Sequence, residues 1–72
     1  MKKYVVIFEK TATGYTAFVP DLLGCVASGE TKKQALKNIH EAIEFHIEGL
    51  LLDGANVPDG QTEAETLEFS VA

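Results

Sequence analysis

The chain has 72 residues, a formal net charge of −5 and one cysteine, Cys25, which excludes an internal disulfide framework. A single domain over residues 1–72 is predicted, and a domain this small favours support from an oligomer or a partner. No lysine follows Lys37, whereas eight acidic residues follow Ile39, so the chain should repel phosphate backbones and suit basic partners. Acidity is equally compatible with a role in solubility alone. No signal-like or membrane-length apolar run is present, and we expect a cytoplasmic protein.

Three short strands are predicted in the first third of the chain. Residues 4–8 are apolar at odd and even positions, which indicates a strand covered on both faces. A short polar connection over residues 10–14 leads to a second strand over 15–19, which must end at Pro20 because proline cannot donate to a sheet ladder. Residues 25–28 form the predicted third strand.

The most complete signal is that of a helix between Thr31 and Gly54. Thr31 and Gln34 have the spacing of a capping box, and Gly54 favours the left-handed conformation that ends a helix. Between them, apolar residues recur at about 100° per residue and form one face. The charges oppose the helix dipole, with lysines in the first turn and acids near the end, so packing against a sheet must stabilise this helix.

Residues 66–71 predict a fourth strand. Leu67, Phe69 and Val71 alternate strictly with polar residues, as in a half-buried edge strand. A right-handed crossover from the third strand through the helix would place it parallel to the first. The predicted fold is therefore α+β with the element order β-β-β-α-β, in which one helix covers one face of a four-stranded mixed sheet of order 3-2-1-4.

One helix covers only one face of such a sheet, which leaves apolar residues without cover. We therefore expect a homo-oligomer, either a dimer or a tetramer, with an interface that includes Val5, Ile7, Phe18 and, on the far side of the helix, Phe45. Single exposed apolar residues are also common without any partner, and for Phe45 that interpretation stays open.

A second surface is predicted to bind a protein partner. Tyr15, Pro20, Asp21 and Leu22 are expected to form a rigid, partly apolar corner, with Glu30 as a second nearby carboxylate, which suits a cationic surface. In the alternative interpretation, Pro20 and Asp21 only shape the turn and Tyr15 packs on the first strand.

The sequence contains no pattern for catalysis or for a cofactor. It has no serine-histidine-acid arrangement, glycine-rich phosphate loop or paired-cysteine metal motif. The three carboxylates nearest to a two-metal nuclease site, Glu9, Glu44 and Glu68, are expected to diverge. We therefore predict a protein that is not an enzyme and has no catalytic, cofactor or metal site.

The two histidines and the cysteine have structural interpretations. His40 and Glu44 are four residues apart on the helix, which favours a solvated ion pair over a metal site. His46 lies on the apolar face, as a core or interface residue, and a pH-sensitive contact there remains open. Cys25 should be a small buried hydrophobic residue.

One block of the sequence resembles a known family. Residues 14–25 read Gly-Tyr-Thr-Ala-Phe-Val-Pro-Asp-Leu-Leu-Gly-Cys, and Gly-Glu-Thr follows at 29–31. Together with residues 4–8, 35–36 and 42–43, this block resembles the HicB-like antitoxin family over residues 1 to about 58. The resemblance implies a partial ribonuclease H-like fold without nuclease activity. It also implies binding to HicA, a small ribosome-independent mRNA-cleaving toxin with a double-stranded-RNA-binding-like fold and a catalytic histidine.

The resemblance has one departure. Paired HicB proteins usually continue into a C-terminal helix-turn-helix or ribbon-helix-helix segment that binds the operator, whereas only Ala72 follows Val71 here, so we expect no direct DNA binding by this chain alone. The sequence therefore predicts a HicB-like antitoxin domain that binds and neutralises a HicA-like toxin. The alternative is a stand-alone, self-assembling HicB-like domain without a toxin partner, which acts as a scaffold or binds a small ligand.

Overall fold

The computed structural model describes all 72 residues and contains three strands followed by one helix. The elements are β1 (Ile7–Lys10), β2 (Tyr15–Phe18), β3 (Val26–Gly29) and α1 (Lys32–Leu52). The strands form one antiparallel sheet in the order β1-β2-β3, and α1 packs over β3 and β2. The predicted α+β class, with a single helix on one face, is confirmed.

The predicted fourth strand is not formed in this chain. Residues 55–72 contain neither helix nor strand, and Leu67, Phe69 and Val71 are 68%, 80% and 90% exposed. The alternation of the sequence gives the segment two faces, but a strand also needs backbone partners, and no strand of the same chain provides them. The four-stranded order 3-2-1-4 is therefore wrong for the single chain, whose sheet has three strands.

The first strand begins three residues later than predicted, at Ile7 instead of Tyr4. Ile7 pairs with Phe18 at the end of the ladder. The same register would place Val5 opposite Pro20, and Pro20 has no N–H to donate. Pairing therefore stops at Ile7 although the apolar run begins earlier.

The core lies between the sheet and α1. Cross-strand pairing places Phe8, Ala17 and Ala27 in one row, and Ala17 is fully buried on the face beneath the helix. Ala35 and Ile39 close the core from the helix side. The six buried residues are all apolar: Ala17, Val19, Leu22, Cys25, Ala35 and Ile39. Leu22 and Ile39 are the two large side chains that are fully buried, so they dominate the hydrophobic stabilisation.

Both ends of α1 are capped at the predicted residues, although the return bond of the capping box, from the Gln34 side chain to the Thr31 N–H, is not formed. At the start, the Gln34 backbone N–H donates to Thr31 Oγ1 over 3.1 Å. At the end, Gly54 has φ +69°, and the N–H groups of Gly54 and Ala55 donate to the Leu51 and Leu50 carbonyls in a Schellman arrangement. Local sequence chemistry therefore fixes both boundaries of the helix.

The start of α1 is held close to β3. A Cβ atom built on Gly29 would lie 2.5 Å from the Ala35 backbone nitrogen, so a glycine is needed where the strand meets the helix. The Asn38 side-chain amide donates to the Ser28 carbonyl over 2.7 Å. These contacts place the Asn38 side of the helix over β3.

Two further parts of the chain follow the helix: the docked segment, residues 57–62, and the arm, residues 63–72. In the docked segment, the Tyr4 hydroxyl donates to the Pro58 carbonyl over 2.5 Å and Lys2 Nζ donates to Asp59 Oδ1 over 2.6 Å. The arm projects away from the rest of the protein. Accordingly, the Cα radius of gyration is 14.2 Å, against roughly 11 Å for a compact chain of this length, and the longest dimension is 53 Å.

Candidate functional site

The predicted docking corner is divided between the two ends of β2. Tyr15 pairs with Lys10 and Gly29 at one end, whereas Pro20 follows the other end of the strand, roughly 16 Å away along an extended chain. Leu22 is 1% exposed and belongs to the core, so it cannot contact a partner from the surface. The prediction of one continuous corner is therefore wrong, because the second strand itself separates its members.

The Asp21 carboxylate is hydrogen-bonded to residues of its own chain. Its Oδ2 accepts hydrogen bonds from the backbone N–H groups of Gln61 and Thr62, over 3.1 and 3.0 Å, and its Oδ1 accepts one from the Thr62 hydroxyl over 3.0 Å. The Thr62 N–H, more than the other two donors, lowers the pKa of this carboxyl group. The carboxylate that was expected to meet a basic partner instead anchors the docked segment.

Tyr15 and Glu30 lie together at the hairpin end of the sheet. They line an open cleft of about 670 Å³ whose walls are almost entirely polar. Its lining residues are Thr11, Thr13, Tyr15, Thr16, Ser28, Gly29, Glu30, Gln34 and Asn38. A Cβ atom on Gly14 would lie 2.2 Å from the Gly29 carbonyl oxygen, so the β1–β2 turn is held against this end of the sheet. The cleft combines one aromatic side chain, one exposed carboxylate and several hydrogen-bonding groups.

An apolar band runs across the sheet face away from α1, which we call the open face. Cross-strand pairing places Ile7, Phe18 and Val26 in one row on this face, and strand alternation adds Val5. Val26 also lines a cleft of about 400 Å³ between β3 and the second half of α1, together with Phe45, which is 79% exposed. The residues predicted for an oligomer interface therefore lie along one band that turns around the edge of β3.

The two histidines and the cysteine differ in their exposure to solvent. The His40 and Glu44 side chains are 3.3 Å apart and exposed, as expected for a solvated pair, and His46 is half-buried beside Phe45. Cys25 is buried and unpaired, and its burial raises the pKa of the thiol, as expected for a small core residue.

Carboxylates do not converge on a reaction centre in this structure. Glu9 lies on the open face, Glu44 on the outer side of α1 and Glu68 in the arm. The structure contains no group of three or more histidine, cysteine or acidic side chains arranged to hold a metal ion. Its one helix, of 21 residues, lacks the length of apolar sequence required to cross a membrane.

The docked segment is the feature that sequence patterns missed. Its contacts join Asp21 to Thr62 and Tyr4 to Pro58, which are 41 and 54 residues apart. The turn-forming sequence Pro58-Asp59-Gly60 indicates a loop, but no periodicity indicates where that loop lies. A Cβ atom on Gly60 would lie 1.7 Å from the Lys3 carbonyl oxygen, so this glycine is needed for the close approach.

Comparison with protein families tests the resemblance that residues 14–25 and 29–31 suggested. The model of the "HicB_like antitoxin of bacterial toxin-antitoxin system" matches residues 4–70. The chain belongs to the HicB-like antitoxin family. The family match extends through the docked segment and most of the arm.

Individual relatives support this assignment. A UPF0150 protein of Thermoplasma acidophilum is 44% identical over 66 residues, which cover 90% of this chain and 96% of the relative. A UPF0150 protein of Synechocystis is 46% identical over 56 residues, covering 76% and 71%. An uncharacterized 14.9 kDa protein of Haemophilus phage HP1 is 46% identical over 55 residues, but the match spans only 41% of its length.

A solved structure matches the HicB-like fold. A chain of the "HicA3 and HicB3 toxin-antitoxin complex" aligns with a TM-score of 0.70 and 33% sequence identity, over 83% of this chain and 70% of that chain. The similarity therefore includes both the sequence and the three-dimensional fold, and the matched chain is part of a complex between a toxin and its antitoxin.

Proposed function

We propose that this chain is a non-enzymatic antitoxin that binds and neutralises a HicA-like mRNA-cleaving toxin in the cytoplasm. The observation that carries the proposal is the structural match to the HicA3–HicB3 complex at 33% identity, together with membership of the antitoxin family. Inhibition requires only that bound antitoxin cover the RNA-binding or catalytic surface of the toxin. The protein therefore needs a complementary surface and no reactive group of its own.

The charge of the chain fits such a partner. An enzyme that cleaves mRNA must hold phosphate groups and therefore presents basic side chains. This chain has a net charge of −5, and Glu41, Glu44 and Glu48 on α1 are exposed. A negative surface speeds the encounter with a basic protein and orients it, whereas packed contacts control dissociation.

The hairpin-end cleft is the proposed contact site for the toxin. Tyr15 supplies a half-buried aromatic side chain, Glu30 an exposed carboxylate, and the surrounding hydroxyl and amide groups can accept and donate hydrogen bonds. Aromatic anchors beside satisfied polar groups are typical centres of protein interfaces. Pro20 is exposed at the opposite end of the sheet and would belong to a separate contact.

A charge-matched pair of variants tests this site. Purified antitoxin, as parent, Glu30→Lys or Glu41→Lys, is titrated against the toxin encoded beside it, and growth rescue is measured on co-expression. Both substitutions reverse one exposed charge. We expect Glu30→Lys to raise Kd at least tenfold, mainly through faster dissociation, and Glu41→Lys to slow association mildly and make it less sensitive to salt. A larger loss with Glu41→Lys would move the contact to α1.

Tyr15 provides a second test of the cleft. Tyr15→Ala should cost on the order of 2 kcal/mol of binding if the ring is a buried anchor in the complex. Because the ring also packs against the protein's own core, Tyr15→Phe is the matched control that keeps the packing. If Tyr15→Ala stays folded by circular dichroism and still binds like the parent, the cleft is not the contact site.

The apolar band on the open face supports a second candidate function. A stand-alone HicB-like domain that assembles with itself through Val5, Ile7, Phe18 and Phe45 would need no toxin. The neighbouring reading frame separates the two functions, since a short, strongly basic protein with a single histidine in a glycine-rich context is expected only for the antitoxin. For either function we expect no sequence-selective DNA binding by residues 1–72, because no basic stripe is present, and a gel-shift assay checks this.

A further inference from the structure

The arm has the pattern of a strand but not the contacts of one. Leu67, Phe69 and Val71 alternate with polar residues, so they would share one face of a strand, and they are 68% to 90% exposed. Together they present on the order of 400 Å² of surface to solvent. Single exposed apolar residues are common, but three on one face of a segment with unpaired backbone groups are typical of a strand that pairs elsewhere.

A matching surface lies along β1 of the same protein. β1 is an edge strand, and α1 covers β2 and β3 but hardly contacts β1. On the face of the sheet beneath the helix, Tyr4, Val6 and Phe8 are therefore only half-buried. A strand added at this edge would gain backbone partners and place its apolar residues beside these three side chains.

The flank of α1 above β1 completes this surface. The Asn38 amide bonds the Ser28 carbonyl, which places the Asn38 side of the helix over β3. At 100° per residue, Leu36, Ile43 and Ile47 lie on the opposite flank, above β1. Leu36 is 51% exposed, and the two isoleucines are only half-buried. An added strand at the β1 edge would be covered by these three residues.

In its own chain, the arm begins on the other side of β1 from this free edge. The Asp21 carboxylate holds Thr62 on the β2 side of β1, whereas the free edge lies on the other side, roughly 10 Å away across two strand spacings. To reach its own edge, the arm would have to turn back across β1 immediately after a residue that is fixed by two hydrogen bonds. A second copy has no such constraint.

We propose that residues 66–71 of one copy add as a fourth strand to the free edge of β1 in a second copy, and reciprocally, so that the protein forms a symmetric arm-exchanged dimer. An exchange of identical elements closes on itself with two-fold symmetry. Charge favours it, since the arm carries Glu63, Glu65 and Glu68 and no cation, whereas three of the six lysines lie within residues 1–10. Two arms and two receiving surfaces bury roughly 1,600 Å², the size of a stable interface.

The first experiment measures dimerisation of the full chain by analytical ultracentrifugation. Phe69→Ser removes apolar surface from the arm, and Glu68→Ser changes the opposite face of the same arm. We expect a dimer of the 7.8 kDa chain, a Kd raised at least tenfold by Phe69→Ser and less than threefold by Glu68→Ser. Phe69 is 80% exposed within its own chain, so its loss should leave the monomer folded. A monomeric parent, or a dimer as tight with Phe69→Ser, overturns the proposal.

The second experiment shows which chain receives the arm. One chain carrying Glu9→Cys and another carrying Glu68→Cys are mixed and treated with a short bis-maleimide linker, because both positions would then lie on the open face. Cys25 is 3% exposed, and the parent sequence treated with the same linker serves as the control for its reactivity. We expect a covalent heterodimer. A chain that carries both substitutions is treated in the same way. Absence of the heterodimer overturns the proposal, and a cross-link within a single 7.8 kDa chain would then show that the arm pairs in cis.

Discussion

The sheet and helix, residues 7–55, and the segment that follows them are held by different kinds of contact. The first region closes around six apolar residues that are at most 3% exposed and is bounded by backbone ladders and caps. The docked segment is held by polar contacts at the surface, from Tyr4, Lys2 and Asp21, and the arm beyond it has no secondary structure. Hydrophobic stability is therefore concentrated in the first region, whereas the position of the docked segment depends on a few hydrogen bonds at the surface.

The largest expected effect is a truncation in the core of the first region. Ile39→Ala should destabilise the protein by about 3 to 4 kcal/mol, because Ile39 is fully buried between α1 and the sheet. Leu52→Ala, at an 80% exposed position of the same helix, should change stability by less than about 0.5 kcal/mol. Chemical denaturation followed by circular dichroism measures both, and similar losses would show that stability is not concentrated in the core.

A second comparison uses the same glycine-to-alanine change at two places in the first region. Gly29→Ala forces a Cβ atom to within 2.5 Å of the Ala35 backbone and should cost about 2 kcal/mol or more. Gly49→Ala meets no atom within 4 Å inside α1 and should stabilise the protein by about 0.5 to 1 kcal/mol. Thermal unfolding measures the two shifts, which should have opposite signs; a neutral Gly29→Ala would mean that β3 and α1 can separate.

A smaller effect is expected at the N-terminus of α1. Thr31→Ala removes the oxygen that accepts from the Gln34 N–H and should cost about 1 kcal/mol, whereas Thr31→Ser keeps an acceptor and should cost much less. Urea denaturation of the three proteins checks this. Equal losses for alanine and serine would assign the effect to the threonine methyl group instead of the cap.

The smallest effect is confined to the docked segment and depends on pH. The hydrogen bonds to the ionised Asp21 carboxylate lower its pKa in the folded protein. Their stabilisation of the folded state is therefore fully present above the ordinary pKa of 3.8 and is lost as the pH falls through the lower folded pKa. We therefore expect the Gln61 and Thr62 amide resonances to lose their hydrogen-bonded shifts below about pH 3.8, while the core amides keep theirs.

Asp21→Asn is the control for this titration. This variant should lose the chemical-shift change that protonation of Asp21 causes. It should keep a second change, from protonation of Asp59, whose pKa is lowered by its hydrogen bond from Lys2. If the docked segment and the core lose their shifts together, the two regions unfold as one unit and the contrast between them is wrong.

The sequence predictions are accurate where the contacts that decide the structure join residues close in sequence, and they fail where these contacts join distant residues. The caps at Thr31 and Gly54 were predicted because they depend on residues within one helical turn. The start of β1 was misplaced because it depends on the register with Pro20. The fourth strand was wrong for the single chain because the alternation of side chains does not supply backbone partners. The prediction of one continuous corner was wrong because the strand predicted over residues 15–19 places Tyr15 and Asp21 at opposite ends.

The order of the elements has a consequence for biosynthesis. Each strand packs against the next, and α1 packs on the strands that immediately precede it, so the first region needs only contacts between near neighbours in sequence. Such local topologies form quickly. The arm is synthesised last and takes part in none of these contacts, so the folding of the first region does not depend on it.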